Sequence, residues 1–280
     1  MKKEESIKRD ITSIAIGGFD GMHLAHQELF KKLDINGAIV VICTRYANLT
    51  AKTYRERYTK FPLFFYPLED IKHLSGEAFI SLLKEEFPAL KKIVVGYDFH
   101  FGHQASSDTD DLRAMFDGEV EVVNKFLIDD IAVHSRVIRE YLRSGDIQQA
   151  NKLLGYNYSV IGYPIKGQGL GKKQFVPTIN IDIREFLIPC EGIYATKTIV
   201  NHKEFISVSF IGHRVSTDGE FACETHIIDE SFNEKIPRTI EVVFFTKLRD
   251  NKKYDKFEFL KAQILKDIEE TKNYFKKVNK

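Results

Sequence analysis

The sequence predicts an α/β domain built on a parallel sheet, followed by a small antiparallel β-barrel that ends in one helix. Two patterns carry that prediction. Up to about residue 155, short apolar runs alternate with helical patterns, as βα units with helices on both faces of a sheet require. From residue 158 onward, two-residue alternations separated by turn signals dominate, which suits a small barrel. A chain of 280 residues accommodates both. The boundary falls near residues 156–158, giving domains 1–156 and 157–280.

Each element has its own justification. Residues 13–16 and 38–43 are short, apolar and β-branched, as buried parallel strands should be. After the first, Leu24, Leu29, Phe30 and Leu33 are spaced for one helix face. Residues 77–87 predict a helix with Phe79, Leu82 and Leu83 on one side; residues 93–95 predict a strand closed by Gly96. A short helix over 110–116 and a strand over 119–123 follow. Helices over 135–142 and 147–154 are separated by Ser144-Gly145-Asp146, a C-cap glycine and a fresh N-cap. Residues 45–66 are polar, basic and aromatic without clear periodicity, and read as a loop or flap. In the second half, strands are expected over 178–183, 193–200, 205–210, 220–228 and 240–246, with turns at Asn201-His202-Lys203 and Asp218-Gly219. A terminal helix from about residue 256 has Phe257, Leu260, Ile264 and Ile268 as its apolar stripe.

Composition narrows the function. The net charge of +1 implies no strong pull on nucleic acid or a membrane surface. No apolar run approaches the roughly 20 residues that span a bilayer. The charged N-terminus, Met-Lys-Lys-Glu-Glu-Ser, does not read as a signal peptide. Cys43, Cys190 and Cys223 are scattered and odd in number, so no disulfide framework is expected and a reducing cytoplasm is the simple inference.

Three segments carry candidate chemistry. In Ile14-Ala-Ile-Gly-Gly-Phe-Asp-Gly-Met-His-Leu-Ala-His26, an apolar strand runs into Gly17, Gly18, Phe19, Asp20 and Gly21, and a helix opens. Glycines allow a tight turn and close approach to phosphates, and the helix start offers unpaired N–H groups. His23 and His26 can donate hydrogen bonds to a phosphoryl group as it gains charge. Alone, the H-x-x-H pair also fits half a metal site or two partly exposed polar residues. The second segment runs from Gly162 through Gly167, Gly169 and Gly171 to Lys172 and Lys173, a glycine-rich basic loop without the G-K-[ST] ending of a Walker A loop. It leads to Pro177-Thr178-Ile179-Asn180, where Thr178 and Asn180 share one strand face and could hold a magnesium ion carrying nucleotide phosphates. The third is Glu224-Thr225-His226-Ile227-Ile228-Asp229, where Glu224 is a candidate general base or, equally, an exposed acid on a barrel surface.

In this order, and with Val95-Gly-Tyr-Asp-Phe-His-Phe-Gly102, Ser135-Arg-Val-Ile-Arg139, Glu191-Gly-Ile-Tyr-Ala195 and Gln263-Ile-Leu-Lys-Asp267, these segments resemble the bacterial bifunctional riboflavin kinase/FMN adenylyltransferase (FAD synthetase) family over nearly the whole chain. The resemblance implies a nucleotidyltransferase-like (Rossmann-like) first domain and a riboflavin kinase barrel. It implies phosphorylation of riboflavin by ATP to FMN, then adenylylation of FMN to FAD with release of pyrophosphate. It makes Glu224 the kinase base, with Thr178 and Asn180 on Mg2+ and phosphates and Gly162 to Gly171 over the nucleotide. His23 and His26 would stabilise the adenylyl transition state, and Ser135 and Arg139 would bind ATP phosphates. Gly96, Asp98, Phe99 and Arg249 would face flavin or nucleotide. ATP, riboflavin and FMN would be the partners, with no nucleic acid, membrane or obligate protein partner.

The chain departs from the family pattern at Gly18 (usually Asn), Ala25 (usually Gly), Arg136 within a usual Ser-Ser-Thr, Ala105 (usually Arg), and at Phe175, Val176 and Phe210. Other readings of the same residues are a kinase whose first domain is degenerate, a metal-dependent hydrolase using His23, His26, Asp98, His100 and His103, and a non-enzymatic flavin-binding protein.

Overall fold

The computed structural model of the protein describes residues 6–44, 47–166, 176–216, 218–229 and 232–278. The chain forms two compact units, residues 1–135 and 136–280. In the first, β1 (Ser13–Gly17) leads to α1 (Leu24–Phe30), β2 (Gly37–Cys43), a 3-10 helix (Lys52–Tyr58), β3 (Leu63–Pro67) and α2 (Leu68–Ile71). Then come α3 (Gly76–Glu86), β4 (Lys92–Gly96), α4 (Thr109–Met115) and β5 (Glu119–Val123), with a small hairpin of β6 (Leu127–Ile128) and β7 (Ile131–Ala132). The sheet order is β3-β2-β1-β4-β5, all parallel. The three central strands, β2, β1 and β4, bury both faces, whereas the edge strands β3 and β5 are half-buried. Ile14, Ile16, Val40, Ile93 and Val95 pack with Phe79, Leu83 and Phe87 of the α3 region, whereas Ala15, Ile39, Val41 and Val94 pack with Leu29 and Phe30 of α1.

Within the expected loop over 45–66, whose residues 45 and 46 lie outside the described residues, residues 47–66 differ from a loop. Lys52–Tyr58 is a 3-10 helix and Leu63–Pro67 is the edge strand of the sheet. Strand β3 is short and follows a polar stretch, so its pairing with Ile39 to Cys43 comes from the sheet edge rather than from local periodicity.

The second unit contains α5 (Ser135–Ser144) from residue 136 onward and α6 (Ile147–Leu154), then β8 (Ser159–Ile165), β9 (Ile179–Asp182), β10 (Gly192–Val200), β11 (Lys203–His213), β12 (Phe221–Ile227), β13 (Ile240–Arg249) and α7 (Phe257–Val278). The six strands close a barrel in the order β10-β11-β12-β9-β8-β13. Asn201 and His202 (φ 49° and 65°) make the two-residue, left-handed turn between β10 and β11. Gly145 (φ 85°) ends α5, and Asp146 caps α6 by accepting the Gln149 N–H at 3.1 Å. The contact boundary lies about twenty residues before the expected domain boundary because these helices bond to the barrel. Leu142 O accepts the Cys190 N–H at 3.1 Å, and Asn151 Nδ2 donates to Phe244 O at 2.9 Å.

Helix α7 packs Ile268 and Ile264 on Ile193 and Val208. Its first turn departs from the expected stripe: Phe257 is 52 % exposed, and burial deepens only at Asp267, Ile268, Thr271 and Phe275. No helix among the described residues is long and apolar enough to cross a membrane.

Candidate functional site

In the first unit the strand order reverses direction between β1 and β4, where a crevice forms at the carboxyl ends of parallel strands. Gly17 ends β1 and Gly96 ends β4, so two of the expected motifs meet there. The turn after β1 is strongly bent: Phe19 (φ 44°), Gly21 (φ 88°) and Met22 (φ 40°) all lie in the left-handed region. Asp20, expected at phosphates, instead organises protein. Its buried carboxylate accepts the N–H groups of Asn48 (3.1 Å), Leu49 (3.0 Å) and Thr50 (3.0 Å). Gly21 N–H donates to Thr50 Oγ1 at 2.8 Å, and Arg55 Nε donates to Phe19 O at 3.2 Å. Ser135 Oγ donates to Asp20 O at 2.6 Å and so anchors the start of α5 on this turn.

His23 caps α1, its Nδ1 accepting the His26 N–H at 3.4 Å. A neutral His23 accepting at Nδ1 carries its proton on Nε2. The two imidazoles stack with centroids 3.5 Å apart, and the Phe19 ring meets His26 edge-on at 5.1 Å. Nδ1 of His26 is buried with no hydrogen-bond partner. Burial holds the His26 pKa well below the ordinary range, and the nearby Arg55 guanidinium adds to this, so the ring is neutral at pH 7. A β-carbon at Gly18 would meet only Ile42 O at 3.8 Å, an ordinary contact. Phe99 stacks on Phe101 at 5.6 Å, and Asp98 is exposed. Arg139 lies on α5, in the second unit.

In the barrel, Glu224 of β12 stands in register with Asn180 of β9, and the Thr178 side chain hydrogen-bonds its carboxylate. Thr178, Asn180 and Glu224 therefore converge. Asn180 lines a cavity of about 540 Å³ together with Lys166, Asp182, Arg214 and Phe221. Burial raises the Glu224 pKa, opposed by Arg214 and by the Thr178 bond. Two residues on, His226 Nδ1 lies 2.7 Å from Pro177 O and pins the segment that carries Thr178.

Gly162 is not part of a loop. It sits within β8 opposite Ile240, where a β-carbon would approach Ile181 Cγ2 to 2.4 Å and Asp182 O to 2.7 Å. Gly167, Gly171 and Lys172 lie outside the described residues. Arg249, expected at flavin, grips Asp267 of α7 through Nε (2.8 Å) and Nη2 (2.7 Å), and Gln263 Nε2 donates to the same carboxylate at 2.9 Å. Among the described residues no three His, Cys, Asp or Glu side chains are grouped to hold a metal ion, and His23 and His26 are not joined by Asp98, His100 or His103 in such a group.

Sequence reasoning missed Arg55, Arg214, Asp218 and the bond from His226 to Pro177. Arg55 lies in the stretch that lacked periodicity. Asp218 was visible only as half of a turn signal.

Comparison with known proteins follows the same division. A riboflavin kinase family model matches residues 154–275, and an FAD synthetase family model matches residues 63–137. The bifunctional riboflavin kinase/FMN adenylyltransferase of Haemophilus influenzae is 30% identical over 291 residues, covering 94% of each chain. The protein of the same description from Listeria monocytogenes is 28% identical over 303 residues, covering 96% of this chain and 94% of its own. A solved structure described as a macrolide-efflux protein from Streptococcus pneumoniae superposes with a TM-score of 0.83 at 26% identity, covering 94% of each chain.

Proposed function

The chain belongs to the bifunctional riboflavin kinase/FMN adenylyltransferase family, and from that premise we propose a division of labour along it. Residues 157–280 phosphorylate riboflavin with ATP to give FMN. Residues 1–156 join FMN to the adenylyl part of ATP, giving FAD and pyrophosphate. The observation that carries the kinase half is the meeting of Glu224, Thr178 and Asn180 beside the barrel cavity.

Glu224 accepts the proton of the riboflavin 5′-hydroxyl as that oxygen attacks the γ-phosphorus of ATP and ADP leaves. Partial burial makes it a stronger base than an exposed carboxylate. Thr178 and Asn180 offer a hydroxyl and an amide oxygen beside a carboxylate, a hard-oxygen set that fits Mg2+. When bound there, Mg2+ would neutralise the charge of the nucleotide phosphates.

In the first domain, a phosphate oxygen of FMN attacks the α-phosphorus of ATP directly, and no protein nucleophile is needed. Positioning and charge stabilisation supply the rate. Gly17 to Gly21 form the turn that receives the nucleotide. His23 and His26 donate hydrogen bonds to the reacting phosphate, and the orphaned His26 Nδ1 is a polar atom that a ligand would satisfy. Ser135 binds ATP phosphates, and Gly96, Asp98 and Phe99 contact nucleotide or flavin. The substrates are small molecules, and no protein partner is required. Cys43, Cys190 and Cys223 are all unpaired, as suits a reducing cytoplasm.

The test separates products by chromatography after incubation with riboflavin, ATP and magnesium. FMN and FAD together support both halves. Glu224→Gln should block FMN formation from riboflavin yet leave FAD formation from supplied FMN, and His23→Ala the reverse. FMN without FAD from the wild-type protein would overturn the adenylyltransferase half. Neither product from folded protein would overturn both.

A further inference from the structure

We propose that Arg214, itself held by Asp218, is a positioning residue of the kinase site that fixes the carboxylate of Glu224 for phosphoryl transfer. The inference rests on the reading of Glu224 as the base. It adds a residue that neither the cavity motif nor the strand pattern of the sequence singles out.

The geometry is that of a braced clamp. Arg214 Nε donates to Asp218 Oδ1 at 3.1 Å, and Nη2 lies 3.0 Å from Asp218 Oδ2. Two parallel bonds to one carboxylate fix the plane of a guanidinium, which a single bond does not. With the plane fixed, Nη1 reaches Glu224 Oε1 at 3.3 Å. The turn that carries the clamp is itself tied down. Arg214 N–H donates to Glu220 O at 2.9 Å, Gly219 N–H to Arg214 O at 3.2 Å, and Glu220 N–H to Asp218 Oδ1 at 3.1 Å. Gly219 takes the left-handed conformation (φ 78°) that this turn needs.

The surroundings leave the role to Arg214. Across the strands, Glu224 faces Phe210 of β11 and Asn180 of β9, neither of which carries charge. Thr178 bonds the carboxylate from before β9, and Asp218 is the other charge acting on it. Arg214 also lines the cavity, where Lys166 and Asp182 are the other charged residues. Its side chain is 20% exposed and that of Glu224 19%. At this burial a carboxylate held by two partners has few orientations left. Catalysis by a positioned base depends on orientation: a displacement of about 1 Å can cost roughly 10²-fold in rate.

The experiment is a double-mutant cycle on FMN formation, using the full chain with riboflavin, ATP and magnesium. Arg214→Met should lower kcat by roughly 10²-fold with little change in KM for either substrate, because the lost function is orientation of the base. Arg214→Lys should restore part of it, since an ammonium still reaches Glu224 but loses the fork to Asp218. In a Glu224→Gln background, Arg214→Met should cost nothing further. Quenching of riboflavin fluorescence on binding, in every variant, shows that the barrel is folded. If Glu224→Gln falls to a small residual rate but Arg214→Met keeps its kcat, raises only KM, or costs as much on that residual rate, the Arg214 proposal is overturned and the base assignment stands. If Glu224→Gln keeps the wild-type rate, the base assignment fails first and takes this proposal with it.

Discussion

Replacing Asp20 tests whether this acid serves the nucleotide or the protein. Its carboxylate is 7 % exposed and accepts three backbone N–H groups, from Asn48, Leu49 and Thr50, at 3.0–3.1 Å. Asp20→Ala strands all three donors. A hydrogen bond to a charged group contributes about 1.5–3 kcal/mol, and water will re-enter some of the space, so about 3–5 kcal/mol for the set is expected. Asp20→Asn keeps one acceptor oxygen but turns an amide toward an N–H, and should cost about 1–3 kcal/mol. The assay is amide hydrogen exchange. In Asp20→Ala the amides of Asn48, Leu49 and Thr50 should exchange faster by roughly 10²-fold to several times 10³-fold, since each 1.4 kcal/mol is tenfold. Asp20→Asn should fall between. FAD formation should drop in step, because the same turn carries Phe19 to His23. Unchanged protection at residues 48–50 with lost nucleotide affinity would refute the reasoning and return Asp20 to the phosphates.

Other consequences follow from burial. Gly162→Ala places a β-carbon 2.4 Å from Ile181 Cγ2 and 2.7 Å from a backbone oxygen; overpacking of this kind costs about 1–3 kcal/mol, read as a lower unfolding midpoint of the barrel. An unchanged midpoint would place Gly162 in a loop after all. His26 resists protonation in the folded protein but takes a proton near its ordinary 6.5 when unfolded. The unfolded chain therefore binds more protons as pH falls through 6.5, and stability that is fully present above that pH is lost below it. His26→Gln should flatten the fall in melting temperature between about pH 7 and 5; an identical slope would show that His26 does not titrate on unfolding. Burial pushes the Cys223 thiol up to about 12, whereas Cys190 is half-exposed. Iodoacetamide at pH 8 should therefore label Cys190 and spare Cys223 until denaturant is added.

Much of the fold is local in origin and therefore legible along the chain. Strands β1, β2 and β4 announce themselves because both faces are buried, so an unbroken apolar run is the only pattern they can have. The Gly145-Asp146 junction and the Asn201-His202 turn are written in residues that tolerate or require special backbone angles. The placement of Glu224 opposite Asn180 comes from the pairing of β12 with β9, which the two-residue period alone does not fix. Nearest-neighbour patterns cannot carry the rest, which joins residues far apart in sequence. Edge strand β3 has an apolar, aromatic run of its own, but the polar stretch before it masks the run and pairing with β2 completes it. Asp20 and Arg249 sit in motifs that suggest ligands, but folding brings each a protein partner: the amides at 48–50, and Asp267 eighteen residues along. Arg214 gains a purpose only when its turn folds back over β12. An acid or a base in a sequence states a charge; only the tertiary structure decides whether protein or solvent answers it, because burying a charge is tolerable only where a partner is in place.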